Sequence, residues 1–177
     1  MARQEEDRAL SAPEEFGAID PGDVHVGYAA MRFKPKTRRY ELRMGVLHRR
    51  ERTLTETVHD VLAQMPARVI IENYRARPVG HQQFNAGETL RLIGALEYAI
   101  QAPASERRCF FEPPGNPDHD LPKLKLSPII DKWIETFGDV NPDWRHAYAA
   151  WRALGMFVIR NDFALLDQLV YASMQNM

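Results

Sequence analysis

Two carboxylates in this chain stand where a buried strand would end. Asp20 closes the run Phe-Gly-Ala-Ile-Asp that begins at Phe16, and Glu72 closes Val-Ile-Ile-Glu, which begins at Val69. An acid at the end of a buried strand is costly unless something neutralises it. Two carboxylates about 4 Å apart would repel by about 4 kcal/mol at an effective dielectric near 20. A hard dication turns that repulsion into binding, because Mg²⁺ prefers carboxylate and water oxygens. Taken singly, each acid is more simply a solvent-facing strand end or a helix cap. Together they matter only if a mixed sheet sets the two strands side by side. A third element is the segment from Asn141 to Trp151, in which Pro142 suits a first helical position and Asn141 its cap. His146 and position 149 are three apart and share a face, whereas Ala147, Ala150, Trp151 and Leu154 lie nearer another. A lone histidine on a helix is most often structural, so His146 becomes a candidate only through its partners.

The elements that must position these groups can be read along the chain. Met1 to about Glu15 is polar and acidic and is expected to form a flexible tail, leaving residues 16–177 as one domain. Phe16 to Asp20 reads as a short buried strand, followed by turn chemistry in Asp20-Pro21-Gly22-Asp23. Val24–Phe33 and Tyr40–His48 read as two further strands, completing an antiparallel meander. Thr53-Leu54-Thr55-Glu56 fits a capping box, and Leu54, Val58, Val61, Leu62 and Met65 then recur at helical spacing. Val69–Ile71 suits a strand buried on both faces. A helix over Ala86–Ile100, capped by Asn85, a strand over Arg108–Glu112, and helices over 127–137, 142–158 and 163–173 complete the order βββαβαβααα. That order predicts an α/β fold with a mixed sheet flanked by helices.

Composition narrows the class. The 177 residues carry 23 Lys and Arg against 24 Asp and Glu, a formal charge of −1, with 45% hydrophobic residues. Nine basic residues between Arg32 and Arg52 face only two acidic ones, so a local excess of seven positive charges is balanced by −8 elsewhere. Such a segment can track a polyanion. Cys109 is the only cysteine, which excludes an internal disulfide and argues against a cysteine-based zinc cluster. No run approaches the roughly 20 apolar residues of a membrane helix. Asp118-His119-Asp120 sits among prolines and reads as a polar loop, and Trp133, Trp144 and Trp151 read as core.

Three motifs in order carry a resemblance. Ala18-Ile19-Asp20-Pro21-Gly22, with Gly27 five residues on, resembles the first strand of the RuvC Holliday-junction resolvases, of the RNase H-like superfamily. Val69 to Glu72 resembles their second acidic position, and Asn85-Ala86-Gly87-Glu88 the start of the helix that follows. His146 to Ala150 resembles the final helix of that family, in which His or Asp is followed three residues later by Asp. The match spans roughly residues 16–158, and the loop before Asn85 and the Pro-Pro-Gly-Asn-Pro stretch look more like phage-type members. One position departs: Ala149 stands where the resemblance leads to Asp. Either activity was lost naturally or an Asp→Ala substitution was made deliberately; the intact Asp20, Glu72 and His146 favour the second. Asp143 is the nearest replacement acid, but its simpler role is charging a helix N-terminus.

The resemblance implies an RNase H-like five-stranded sheet, three antiparallel strands then parallel ones, and a structure-selective endonuclease that resolves four-way junctions. It implies two Mg²⁺ per active site, with Mn²⁺ as a substitute, one ion activating water and the other stabilising the leaving 3′ oxygen. Asp20 would bridge the ions, Glu72 would bind one, His146 would orient the water or touch a metal, and position 149 would complete the set when it is Asp. Products would be ligatable nicks. The protein would act as a homodimer in the cytoplasm of a bacterial or phage-infected cell, with no nucleotide cofactor and no membrane partner. The helix from Ala86, with Gly94 and Ala95, is the candidate dimer contact; otherwise that stripe faces its own sheet. DNA would be held by Arg32, Lys34, Lys36, Arg38, Arg39, Arg75, Arg77 and Arg91. Tyr74 and Phe84 could stack on unpaired bases, or pack on the neighbouring helix. Two other readings stay open: a naturally non-catalytic binder of branched DNA, and an RNase H-like nuclease acting on flaps or RNA.

Overall fold

Alternation along the first three strands decides which side of the sheet each residue faces. In β1 (Glu14–Pro21), Phe16 and Ala18 join one core cluster and Ile19 the other. β2 (His25–Lys34) sends Ala29, Met31 and Phe33 to the first cluster, and Val26 and Ala30 to the second. β3 (Arg39–His48) pairs antiparallel with β2, and β2 with β1. β4 (Arg68–Glu72) and β5 (Arg108–Glu112) then add in parallel, giving the order β3-β2-β1-β4-β5. The mixed sheet expected from the sequence is therefore present. The computed structural model describes residues 14–34, 37, 39–73, 86–113, 141–161 and 165.

Three helices among the described residues cover the sheet. α1 (Leu54–Ala63) starts at the expected capping box: Thr53 Oγ1 accepts from the Glu56 backbone N–H at 3.2 Å, and the Thr53 N–H donates to Glu56 Oε2 at 2.7 Å. α2 (Ala86–Gln101) buries Leu92, Ile93, Leu96 and Ile100 with Val61 and Leu62 of α1 against one face of the sheet. α3 (Trp144–Asn161) crosses the opposite face, where Ala147, Ala150, Trp151, Leu154 and Phe157 meet Phe16, Met31 and Ile70. Ala147 and Ala150 are fully buried, and their small size lets the helix lie close to the sheet.

Several boundaries differ from the expectation. β1 begins at Glu14, two residues before the strand start expected at Phe16; Glu14 and Glu15 pair with Phe33 and Arg32 across the ladder, which local composition does not reveal. α3 begins at Trp144 rather than Pro142, because Pro142 and Asp143 form a turn ahead of it. Asn141 is therefore not the N-cap of this helix; its side-chain oxygen accepts from the Asp143 N–H at 2.9 Å, an Asx-turn that leads into it. Trp151 is core as expected, whereas Trp144 is only half-buried and lies against Tyr148. The tail through residue 13, the helices expected over 127–137 and 163–173, the Asp118–Asp120 triplet and Trp133 lie outside the described residues, residue 165 apart.

Candidate active site

The parallel register sets Ile19 beside Ile71, so the next residues along each strand are Asp20 and Glu72. Parity gives both carboxylates the same face. Phe16, Ala18 and then Asp20 lie on the α3 side of β1, as do Ile70 and then Glu72 on β4. Across β1, Asp20 is partnered by Gly27 of β2. A Cβ at Gly27 would lie 2.0 Å from the carbonyl oxygen of His146, so only glycine admits the first turn of α3 here. Gly22 is similarly tight: a Cβ there would meet the His25 carbonyl oxygen at 2.1 Å. These are the two glycines of the Asp-Pro-Gly-x-x-x-x-Gly motif. Gly27 lets α3 lie close on the strand end, whereas Gly22 closes the turn to His25, with its carbonyl accepting from Arg49 Nη1 at 3.2 Å.

His146 arrives with Nδ1 2.9 Å from Asp20 Oδ2. That hydrogen bond is the main reason its pKa is raised above the ordinary imidazole value. Desolvation opposes the rise, and Asp20, Asp143 and Asp23 add to it. Glu72 is pushed up to about 7, first by burial and then by Asp20, with the Arg152 charge acting the other way. Two acids held together with too little positive charge behave in this way. Asp20, Glu72 and His146 are thus brought together from positions far apart in the chain.

Ala149 lies one turn beyond His146 and half-buried. It brings no oxygen. Arg152, three residues further along the same helical face, acts electrostatically on Glu72 and has its Cζ 5.5 Å from the Tyr148 ring centre. Glu112 of β5 stands next to Glu72 in the parallel register, is buried, and is ion-paired with Arg160 at the far end of α3. Burial raises its pKa, and Arg160 offsets part of that rise. Three acids at adjacent strand ends therefore meet three basic groups of one helix: His146, Arg152 and Arg160. Sequence reasoning missed Arg152 and Glu112. The spacing 146, 149, 152 is a helical-face signal that could have found the first, and the shared ending of Val-Ile-Ile-Glu and Arg-Cys-Phe-Phe-Glu could have found the second.

The basic residues divide. Arg32 Nε pairs with Glu15 at 2.9 Å and Lys34 pairs with Glu41. Both lie toward the end of β2 opposite Gly27, and Arg32 is five residues from it, about 17 Å along a strand. A cavity of about 350 Å³ at that end, lined by Met31, Arg32, Leu42 and Arg43 among others, includes none of the acidic site. Arg91 is exposed on α2 and pairs with Glu88 at 3.0 Å. Lys36, Arg38, Tyr74, Arg75, Arg77 and Phe84, and the side chain of Arg39, lie outside the described residues. On α2, Gly94 is exposed and a Cβ there would meet nothing, so Gly94 does not face its own sheet. Asp143, expected to charge the helix start, instead directs its carboxylate at His25 and His48. Burial pushes the Cys109 thiol up to about 11, so the thiol form prevails at neutral pH.

No protein-family profile matches the chain, and no curated protein does. Solved structures do. RuvC of Thermus thermophilus, in complex with a Holliday junction substrate, aligns with a TM-score of 0.51 over 84% of this chain and 97% of that one, at 15% identity. The chain has the fold of RuvC. Fowlpox virus Holliday junction resolvase aligns at 0.49 over 83% of this chain and 96% of that one, at 13% identity. The five-stranded mixed sheet with its helices has the expected α/β architecture, an RNase H-like fold. Among the described residues no helix is long and apolar enough to cross a membrane.

Proposed function

We propose that this chain is a divalent-metal-dependent, structure-selective endonuclease whose substrate is branched DNA with a four-way junction, impaired at its active site by Ala149. The observation that carries this reading is the meeting of Asp20, Glu72 and the Asp20-bound His146 at one end of a RuvC-type sheet. The donor chemistry fits a hard dication. Glu72 has an affinity for protons raised by burial and by Asp20, and an oxygen-seeking ion would relieve both. Asp20 and Glu72 would hold Mg²⁺, with Mn²⁺ as a substitute, and the missing oxygen at 149 suits this chain to one ion better than two. When bound, such an ion supplies charge neutralisation at the scissile phosphate.

The chain's own residues have separate tasks. Asp20 fixes the imidazole of His146 through Nδ1, leaving Nε2 as the atom able to take or give a proton. Arg152 contributes positive charge beside Glu72, where a phosphate would otherwise meet two acids. Lys36, Arg38, Arg39, Arg75 and Arg77 would bind phosphates, with Tyr74 and Phe84 against bases. Arg32 and Lys34, remote from the acids, would touch an outer arm of the junction. A homodimer would match the two-fold character of the junction, and Leu90, Gly94 and Tyr98 give α2 an exposed stripe for it.

A second reading has its own support. Ala149 removes a ligand and Arg152 adds a cation, which suits a protein that binds junctions without cutting them. Ala149→Asp, incubated with a labelled four-way junction and Mg²⁺, separates the two. The nuclease reading expects symmetric paired nicks in the variant and little cleavage by the parent chain. Tight binding without cleavage in both chains favours the binder, and a strong preference for an RNA hairpin or a flap over the junction overturns the junction assignment.

A further inference from the structure

The β2–β3 register pairs His25 with His48, and parity sends both imidazoles to the α3 face, just beyond Gly27. Their rings meet edge-on with centroids 4.7 Å apart. Asp143, in the turn before α3, reaches them from above: its Oδ2 lies 3.3 Å from His25 Nε2 and 4.0 Å from His48 Nδ1. One donor atom from each of the three residues falls within 4.8 Å of the other two. We propose that His25, His48 and Asp143 form a mononuclear site for a transition-metal dication of the zinc type, separate from the Asp20–Glu72 pair.

Geometry and donor type both support it. Tetrahedral zinc with bonds of about 2.0–2.2 Å to nitrogen and oxygen sets its ligand atoms roughly 3.3–3.6 Å apart. The His25–Asp143 separation of 3.3 Å already matches, while His48–Asp143 at 4.0 Å and the imidazole pair, within 4.8 Å, must close when an ion binds. His48 and Asp143 retain solvent exposure, which gives an ion an entry path. Imidazole nitrogen favours zinc, nickel or copper over magnesium, so the two centres select different ions. Burial lowers the pKa of His25, as do His48, His146 and Arg50, while Asp143 opposes them; the neutral ring is the form a metal needs. Three protein ligands leave a fourth position for water or an incoming oxygen ligand.

The site also has a structural consequence. It ties the ends of β2 and β3 to the turn from which α3 starts, three residues before His146, whose ring lies 5.4 Å from that of His25. Metal bound there restrains the helix start and hence the His146–Asp20 contact. His25, His48 and Asp143 are then positioning residues for His146.

The test is calorimetric titration of the full chain with Zn²⁺, with Co²⁺ as a visible-absorption probe of tetrahedral nitrogen–oxygen coordination. With excess Mg²⁺ present to occupy the Asp20–Glu72 pair, the chain is expected to bind one equivalent of Zn²⁺ with a dissociation constant on the order of 1 μM. His48→Ala and Asp143→Asn should each weaken binding at least about tenfold, while Glu72→Gln and the surface control His59→Ala leave it unchanged. Zn²⁺ should also shift the His146 ring resonances in the parent chain and not in His48→Ala. Binding weaker than about 100 μM, or binding that survives His48→Ala and disappears in Glu72→Gln, overturns the proposal. Since His48 is exposed, its variant should retain the parent circular dichroism spectrum; if it does not, Asp143→Asn decides the matter.

Discussion

Replacing Glu72 by glutamine should stabilise the metal-free protein at alkaline pH and leave it unchanged in acid. Burial beside Asp20 moves this carboxyl from its ordinary 4.5 to about 7. The folded chain therefore holds the proton more tightly than the unfolded chain does. Stability tied to the group is complete below about pH 4.5, falls as pH rises, and has been lost once pH passes about 7. The full difference corresponds to roughly 3 kcal/mol, a ceiling because the acid pair can relax. A neutral amide escapes this loss. We expect Glu72→Gln to gain about 2 kcal/mol at pH 8, or roughly 4–8 °C in melting temperature for a chain of this size, and nothing at pH 4. Thermal unfolding in a chelating buffer at several pH values measures it. Adding Mg²⁺ should narrow the gap, because an ion on the two carboxylates stabilises only the parent chain. Equal stability at pH 8, or the same gain at pH 4, would refute the reasoning.

Other expectations follow from the same geometry. Gly27→Ala would drive a methyl group into the His146 carbonyl, so it should cost about 1–3 kcal/mol and lower the His146 pKa. Gly94→Ala meets nothing within its own chain and should gain about 0.5–1 kcal/mol from helix propensity in the monomer; denaturant titration of the two variants in dilute solution reads the contrast. His146 should titrate above 6.5 by NMR in the metal-free chain, and Asp20→Asn should lower that value. The stability of this contact is full below pH 6.5 and is lost as pH rises through the folded pKa, so a ring titrating at or below 6.5 contradicts the hydrogen bond. Tyr98→Asp, on the exposed stripe of α2, should shift sedimentation toward a monomer without changing the circular dichroism spectrum.

Local chemistry made much of this molecule readable from residues alone. Thr53 and Glu56 announce a helix start, Val69 to Ile71 a strand buried on both faces, and Asp20 and Glu72 the ends of two strands, because capping and side-chain alternation depend on neighbours a few positions away. Even the glycine spacing of the Asp20 motif was visible, although its cause was not: Gly27 is required by the backbone of a helix more than a hundred residues later. Tertiary structure alone decided that β5 sets Glu112 beside Glu72, and that α3 lays Arg152 and Arg160 along the row of acids. It also decided that Arg32 and Lys34 pair with glutamates far from that row, and that His25, His48 and Asp143 gather at one corner. Strand register and the path of a helix across a sheet come from packing two whole faces at once, which no short stretch of sequence encodes.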